Sequence, residues 1–439
     1  MRKKLLCISM MTAIATTCFS QTFNQQRLDS LFKILEEKDQ FMGSIAVSQN
    51  GKLLYTKAIG YGDVASSKKA DTKTKYRIGS ISKMFTAVLT FKAIEEGKLS
   101  LDQTLDKYFP KVENASKITI GNLLNHRSGI HNFTNDAVYM EYHTQAKSAA
   151  EMMDIIVKGK SDFEPNSKGE YSNSNYVILS YILEKIYNKP YATLLNNKII
   201  SPLHLANTYF GTKTDLQKNE SYSYLNKGKW AKEAETDLSI PMGAGAIVSN
   251  PSDLTVFITQ LFAGKLISEK SLALMQTING NYGMGMFQFP YFQEKSFGHT
   301  GGIDGFQSVL SYFPEHKLAV ALTANGLNYS NNNVLLCALS SYFNKPFKLP
   351  SFNFVALKPE DLSAFLGNYA SAAIPVKISI TNNEAKLVAQ ATGQPAFQLD
   401  ATSPNSFEFE KAGIVLVFNS DKNEMTLKQG GKEFLFTKE

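Results

Sequence analysis

A serine followed three residues later by a lysine, Ser80 and Lys83 in Gly79-Ser80-Ile81-Ser82-Lys83, has the spacing for proton transfer on one helix face. A serine hydroxyl is a poor nucleophile until a base removes its proton, and a desolvated lysine can be that base. Helix N-termini also offer unpaired backbone N–H groups to a developing oxyanion. Together these features describe an acyl-transfer site. Ser-x-x-Lys also occurs at Ser30/Lys33 and Ser66/Lys69, however, so by itself Ser80 reads more readily as a helix cap than as a reactive group.

Two further short patterns add chemistry. Tyr171-Ser172-Asn173 offers a phenol that nearby cations could push down in pKa and use as a proton shuttle, with an amide to orient a lysine or hold a substrate carbonyl. His299-Thr300-Gly301-Gly302 offers adjacent glycines that let a substrate approach the backbone, and the Gly302 N–H is a second oxyanion donor. Each is weak alone. Tyr-x-Asn recurs at Tyr224/Asn226 and Tyr329/Asn331, and any glycine-requiring loop could contain His-Thr-Gly.

The elements that must position these groups follow from periodicity. Behind Ser80, Met84, Val88, Phe91 and Ile94 form one apolar face of a helix that Gly97 can close. Upstream, residues 22–40 read as an amphipathic helix, followed by a hairpin over 44–59 turning at Asn50-Gly51. Thr119 reads as an N-cap, and helices are expected over Tyr176–Tyr187 and Pro251–Phe262 in a mixed region spanning about 145–280. Strand patterns return at Tyr282–Phe289, Ser296–Thr300, Gly305–Phe313 and Leu318–Thr323, with a closing helix over Asn332–Phe343. Strands at both ends of a helical middle imply an α+β fold with one antiparallel sheet flanked by helices and a helical subdomain. Proline-rich 346–358 reads as a linker, and short alternating runs over 359–439 read as a small all-β barrel or sandwich.

Composition sets the outer limits. The chain has 439 residues, enough for one large or two ordinary domains, and its 43% hydrophobic and 19% charged content suits a globular protein. A formal charge of +7 with no dense basic patch argues against a nucleic-acid partner. Residues 1–20 have the pattern of an export signal: Arg2-Lys3-Lys4, an apolar run from Leu5 to Ala15, and a cut expected after Ser20. That cut removes Cys7 and Cys18 and leaves only Cys337, expected as a buried thiol, so a periplasmic or secreted product would carry no internal disulfide. No later stretch is long and apolar enough to span a bilayer. The remaining histidines show no metal-ligand spacing, so no metal or cofactor is expected, and His126 reads as a residue that holds a turn.

In this order and at these separations, the three patterns resemble the serine β-lactamase and penicillin-recognising enzyme superfamily. The match is best in its class C-like branch of D-alanyl-D-alanine carboxypeptidases, D-amino-acid peptidases and esterases. The flanks carry the resemblance too: Tyr76 to Ala87, Leu123-Leu124-Asn125-His126-Arg127-Ser128-Gly129-Ile130, Gly243 to Ser249 and Gly298 to Gly305. It covers about 24–345 and implies a catalytic domain over 21–345, with 359–439 similar to the lipocalin-like barrels appended to some members. It also implies Ser80 as the acylated nucleophile, with Lys83 and Tyr171 sharing the base and acid roles. Asn173 would orient Lys83 and the substrate amide, the N–H groups of Ser80 and Gly302 would form the oxyanion hole, and His299, Thr300 and Gly301 would line the substrate site.

His299 stands where many relatives carry lysine. A histidine is largely neutral above about pH 6.5, so weaker recognition of β-lactam and D-Ala-D-Ala carboxylates is expected. Asn166 after Pro165, where glycine is common in relatives, can still adopt positive φ. The implied partner is a small-molecule or peptide substrate, an ester or a β-lactam, hydrolysed through a Ser80 acyl-enzyme. The alternative is a penicillin-binding sensor or scaffold that is not turned over.

Overall fold

The Asn50-Gly51 turn shows how local chemistry sets the main sheet. Both residues have positive φ, 51° and 75°, the backbone that a two-residue hairpin needs, and they join β1 (Phe41–Gln49) to β2 (Lys52–Ile59). In this computed structural model, which describes residues 23–226, 228–429 and 432–439, four later strands continue the sheet, β3 (Phe287–Tyr291), β4 (Glu294–Ile303), β5 (Phe306–Phe313) and β6 (Leu318–Leu327), and the short segments Tyr224–Asn226 and Trp230–Lys232 join it at β6. Their order is β3-β4-β5-β6-β1-β2, antiparallel along this path. The expected export segment, residues 1–20, lies outside the described residues.

Alternation along the strands divides the sheet between two cores. Val309, Val320 and Leu322 face α1 (Gln25–Glu37) and the C-terminal helix of this part, with Leu31, Phe32, Val334 and Leu339. Leu310, Ala319 and Ala321 face the larger helical core. That core is built around α2 (Ser82–Glu95), α3 (Asn173–Tyr187) and α4 (Pro251–Phe262), and α5 (Asn331–Phe343) closes the other side. The fold is the expected α+β arrangement.

Two local readings differ. The helix after Ser80 does not bury one face only; Ser82 through Phe91 and Ala93 are all buried, because α2 packs against α3 and the short helix Met242–Gly245 and also meets α4. Phe85 stacks on Phe257 of α4 with ring centroids 3.7 Å apart. The expected strand from Tyr282 begins only at Phe287. A Cβ on Gly283 would lie 2.4 Å from the Met275 carbonyl, and Gly285 has φ +80°, so this stretch is pressed against helices instead of joining the ladder.

Beyond α5, residues 345–358 form no helix or strand, yet Phe347, Leu349 and Phe352 pack onto the α1/α5 core. Nine antiparallel strands follow, β7 (Gly367–Ala370), β8 (Lys377–Asn383), β9 (Lys386–Ala391), β10 (Phe397–Gln398), β11 (Asp400–Ser403), β12 (Ser406–Phe409), β13 (Ile414–Asn419), β14 (Glu424–Gln429) and β15 (Lys432–Lys438). They are ordered β10-β9-β8-β7-β15-β14-β13-β12-β11. The two end strands are consecutive in the chain, separated by Leu399 alone, so the sheet curls into a nearly closed barrel with its own apolar core. Asn333 of α5 donates to Glu410 of the barrel over 3.2 Å.

Candidate active site

Ser80 sits in a single 3-10 turn, Gly79–Ile81, that leads directly into α2, so it is not an N-cap. Lys83 follows one turn on, with no exposed surface. Its Nζ lies 2.9 Å from Ser80 Oγ, 2.8 Å from Asn173 Oδ1 and 2.8 Å from the Ala244 carbonyl. Burial holds its pKa well below the ordinary lysine value. A neutral amine has two hydrogens and one lone pair. The Asn173 and Ala244 oxygens can only accept, so they take the two hydrogens, and the lone pair is left to the Ser80 hydroxyl.

Asn173 is the first residue of α3 and is held from a neighbouring loop. Its Nδ2 donates to Thr134 Oγ1 over 3.0 Å, and its backbone N–H donates to Asn132 Oδ1 over 3.0 Å. Ala244 lies in the short helix Met242–Gly245, where small residues are required: a Cβ on Gly243 would be 2.9 Å from the Tyr176 carbonyl. The Ala244 carbonyl and the Thr134 brace were not singled out from the sequence; the Gly243-Ala244-Gly245 run was the only signal for the first.

Tyr171 stands just before α3, with its ring 4.9 Å from Lys83 Nζ. The ring also packs against His126, at 4.5 Å between centroids, and His299, at 6.3 Å. The expected depression of its pKa is not what the surroundings produce. Burial raises it, and the adjoining Ser80 hydroxyl only partly offsets this, so the group is a phenol at neutral pH. The amine meets the face of the ring instead of its oxygen.

His299 is 2% exposed on β4, facing inward, while Thr300 faces out. Its Nδ1 donates to the Thr300 carbonyl, an oxygen that can only accept, which leaves Nε2 unprotonated. Burial pushes its pKa down to about 3. The imidazole is therefore neutral across the physiological range, a stronger departure from lysine than its unperturbed pKa implied.

Gly301 and Gly302 bring β4 against the Ser80 turn. A Cβ on Gly301 would lie 2.0 Å from the Ile78 carbonyl. Arg77 ties the same two segments from below: it is 4% exposed, with Nη2 2.7 Å from Glu235 and Nη1 3.2 Å from Asp304, just beyond Gly302 and Ile303. Ser80, Asn173, Thr300, Gly301 and Gly302 all line one cleft of about 1170 Å³. Among its described lining residues there is no lysine or arginine, whereas Glu233 and Asp304 contribute carboxylates. The structure thus brings together all eight residues singled out from the sequence. Asn166 has φ 66° and accepts from Arg127 Nε over 2.9 Å, so asparagine supports that turn.

An inward serine–lysine pair at the start of a buried helix, beside an antiparallel sheet edge with paired glycines, defines the serine hydrolase class of this fold. The beta-lactamase family model matches residues 29–335, and the chain belongs to that family. It is similar to the teichoic acid D-alanine hydrolase of Staphylococcus aureus (strain MRSA252), 27% identical over 292 residues, 66% of this chain and 72% of that protein. The D-amino acid amidase from Ochrobactrum anthropi SV3, solved with L-phenylalanine, superposes with a TM-score of 0.65 at 25% identity, covering 73% of this chain and 99% of that one. The octameric penicillin-binding protein homologue from Pyrococcus abyssi superposes with a TM-score of 0.67 at 22% identity, covering 94% of this chain and 100% of that one. That last likeness is one of fold, and it extends into the barrel. No helix among the described residues is long and apolar enough to cross a membrane.

Proposed function

We propose that the chain is an exported hydrolase that cleaves amide or ester bonds of D-amino-acyl compounds through an acyl-enzyme on Ser80. The observation that carries this reading is the set of three contacts at Lys83 Nζ, which leaves a neutral amine's lone pair on the Ser80 hydroxyl. In this scheme Lys83 takes the Ser80 proton as Oγ attacks the carbonyl carbon, and the oxyanion is held by the Ser80 and Gly302 N–H groups. The Tyr171 phenol then protonates the leaving nitrogen or oxygen and is reprotonated from the Lys83 ammonium. Water enters by the reverse path, frees the acid and restores Ser80.

The charge of the cleft selects the substrate. With His299 neutral and no lysine or arginine lining the walls, a substrate carboxylate finds no cation there, and a neutral or ammonium-bearing acyl group is preferred. This favours an amidase or D-alanyl esterase over a carboxypeptidase or β-lactamase, in line with the names of the amidase and D-alanine hydrolase relatives. Residues 21–345 form the catalytic domain, 346–358 the connection and 359–439 the barrel, with 1–20 removed on export.

The test is hydrolysis of an activated p-nitrophenyl ester by the purified protein beside Ser80→Ala, followed by D-alanine amide and an N-acyl-D-Ala-D-Ala peptide. Turnover that disappears in Ser80→Ala, with the amide preferred over the peptide, supports the reading. Residual activity in Ser80→Ala above about a hundredth of wild type overturns the nucleophile. A long-lived Ser80 adduct without turnover would replace the hydrolase with the sensor.

A further inference from the structure

We propose that His126 is a positioning residue whose backbone and ring together fix the Tyr171 phenol against Ser80; this rests on the proton-transfer role given to Tyr171 above. The argument starts from the peptide groups on either side of Tyr171. The Glu170 N–H donates to the His126 carbonyl over 2.9 Å, and the Ser172 N–H donates to His126 Nδ1 over 3.2 Å. Between these two anchors, the imidazole lies on the Tyr171 ring with centroids 4.5 Å apart and planes inclined by 33°. Tyr282 closes against the same imidazole at 5.2 Å. Tyr171 is therefore held before, behind and across its face by one residue.

Only a neutral histidine meets both demands. Phenylalanine would stack but could not accept from Ser172; asparagine could accept but would present no ring. Nδ1 must be the bare nitrogen, because the backbone N–H can only donate, so the proton is on Nε2. Burial at 2% exposure keeps the second proton off. His126 itself has φ 58°, a backbone state that histidine tolerates better than most side chains, and the helix Ile120–Leu124 just upstream places it there. Tyr176 Oη donates to the Leu124 carbonyl over 2.7 Å, tying that helix to α3, so the loop carrying Tyr171 and the helix carrying Asn173 share one support.

The experiment compares His126→Phe and His126→Asn with wild type, each alone and combined with Tyr171→Phe, reading the single-turnover acylation rate and KM for the activated ester. Each single variant should slow acylation by about 10- to 100-fold with KM changed by less than about threefold. In the Tyr171→Phe background, either change should cost less than about twofold more, because the residue it positions is already silent. Wild-type acylation in both single variants, or losses that multiply fully in the double variants, overturns the proposal. Should either variant not fold, the wild-type protein still decides: at neutral pH the His126 ¹⁵N shifts must report a neutral ring protonated at Nε2, and an Nδ1-protonated ring overturns the geometry. If Tyr171→Phe is itself silent, or Ser80→Ala remains active, the reading of the site fails first; if both behave as expected and only the His126 variants are silent, this inference alone falls.

Discussion

Gly79 and Gly302 approach so closely that a Cβ on Gly79 would lie 2.8 Å from the Gly302 nitrogen and 2.8 Å from its oxygen. The two backbone N–H groups proposed for the oxyanion hole, those of Ser80 and Gly302, thus belong to segments that touch through their backbones. Gly79 also has φ +51°, a left-handed backbone that side chains rarely adopt.

Gly79→Ala should therefore damage catalysis more than binding. The methyl group has only backbone to push against, so the turn and β4 must separate and the donors move off the oxyanion position. A fall in kcat of about a hundredfold is expected, the cost of losing one such donor, with a stability loss of ~1–3 kcal/mol from backbone strain. Ester turnover and urea unfolding measure the two; wild-type kcat in a folded variant would show that this approach does not set the hole.

Lys83 makes a prediction about pH. Its pKa is lowered by burial, and the proposed base must be unprotonated, so kcat/KM should rise with pH through that depressed value and then stay level through the alkaline range up to about 10, where an ordinary lysine would titrate. His299, pushed down to about 3 by burial, adds no inflection between pH 5 and 8, and His126 is likewise held below its ordinary value by burial. A profile still climbing steeply at pH 9–10 would mean that Lys83 is protonated at neutrality. Lys83→Met should lower the acylation rate by about a hundredfold or more.

What the sequence could disclose was local. The i, i+3 spacing of Ser80 and Lys83, the Asn50-Gly51 hairpin and the two helices of Tyr176–Tyr187 and Pro251–Phe262 are readable because neighbouring residues determine them. The Ala244 carbonyl on Lys83 was not readable, since 161 positions separate donor and acceptor. Tyr171 shows the other limit: its residue type suggested a lowered pKa, but the direction depends on how deeply the ring is packed, which is tertiary information.

Arg77 should matter for stability before activity. The side chain is almost fully buried between Glu235 and Asp304 and also donates to the Thr236 carbonyl over 2.7 Å. Arg77→Met leaves two carboxylates without their cation, and a destabilisation of ~3–5 kcal/mol is expected for breaking a buried pair from one side. Because Asp304 follows the Gly301-Gly302 segment, activity should decline along with it. A loss under about 1 kcal/mol in denaturant unfolding, the range of surface pairs, would show that water reaches these carboxylates.

His299 gives the acid side of the stability curve a definite sign. In the unfolded chain its pKa returns to about 6.5, whereas in the fold burial pushes it down to about 3. Between those values the unfolded state binds the extra proton, so stability is fully present above about pH 6.5 and is lost as pH falls through that window. The whole span corresponds to on the order of 5 kcal/mol. Carboxylates titrate in the lower part of the same range, so the informative quantity is the difference between wild type and His299→Gln, measured by urea unfolding from pH 7 down to pH 4. Wild type should lose its advantage progressively below pH 6.5, while His299→Gln, which keeps a neutral polar side chain and cannot take the proton, follows only the carboxylates. Parallel curves for the two proteins would mean that His299 has the same pKa in the folded and the unfolded chain, so that burial does not hold it low. Below about pH 6.5 the site would then carry a cation, and carboxylate-bearing substrates would return to consideration there.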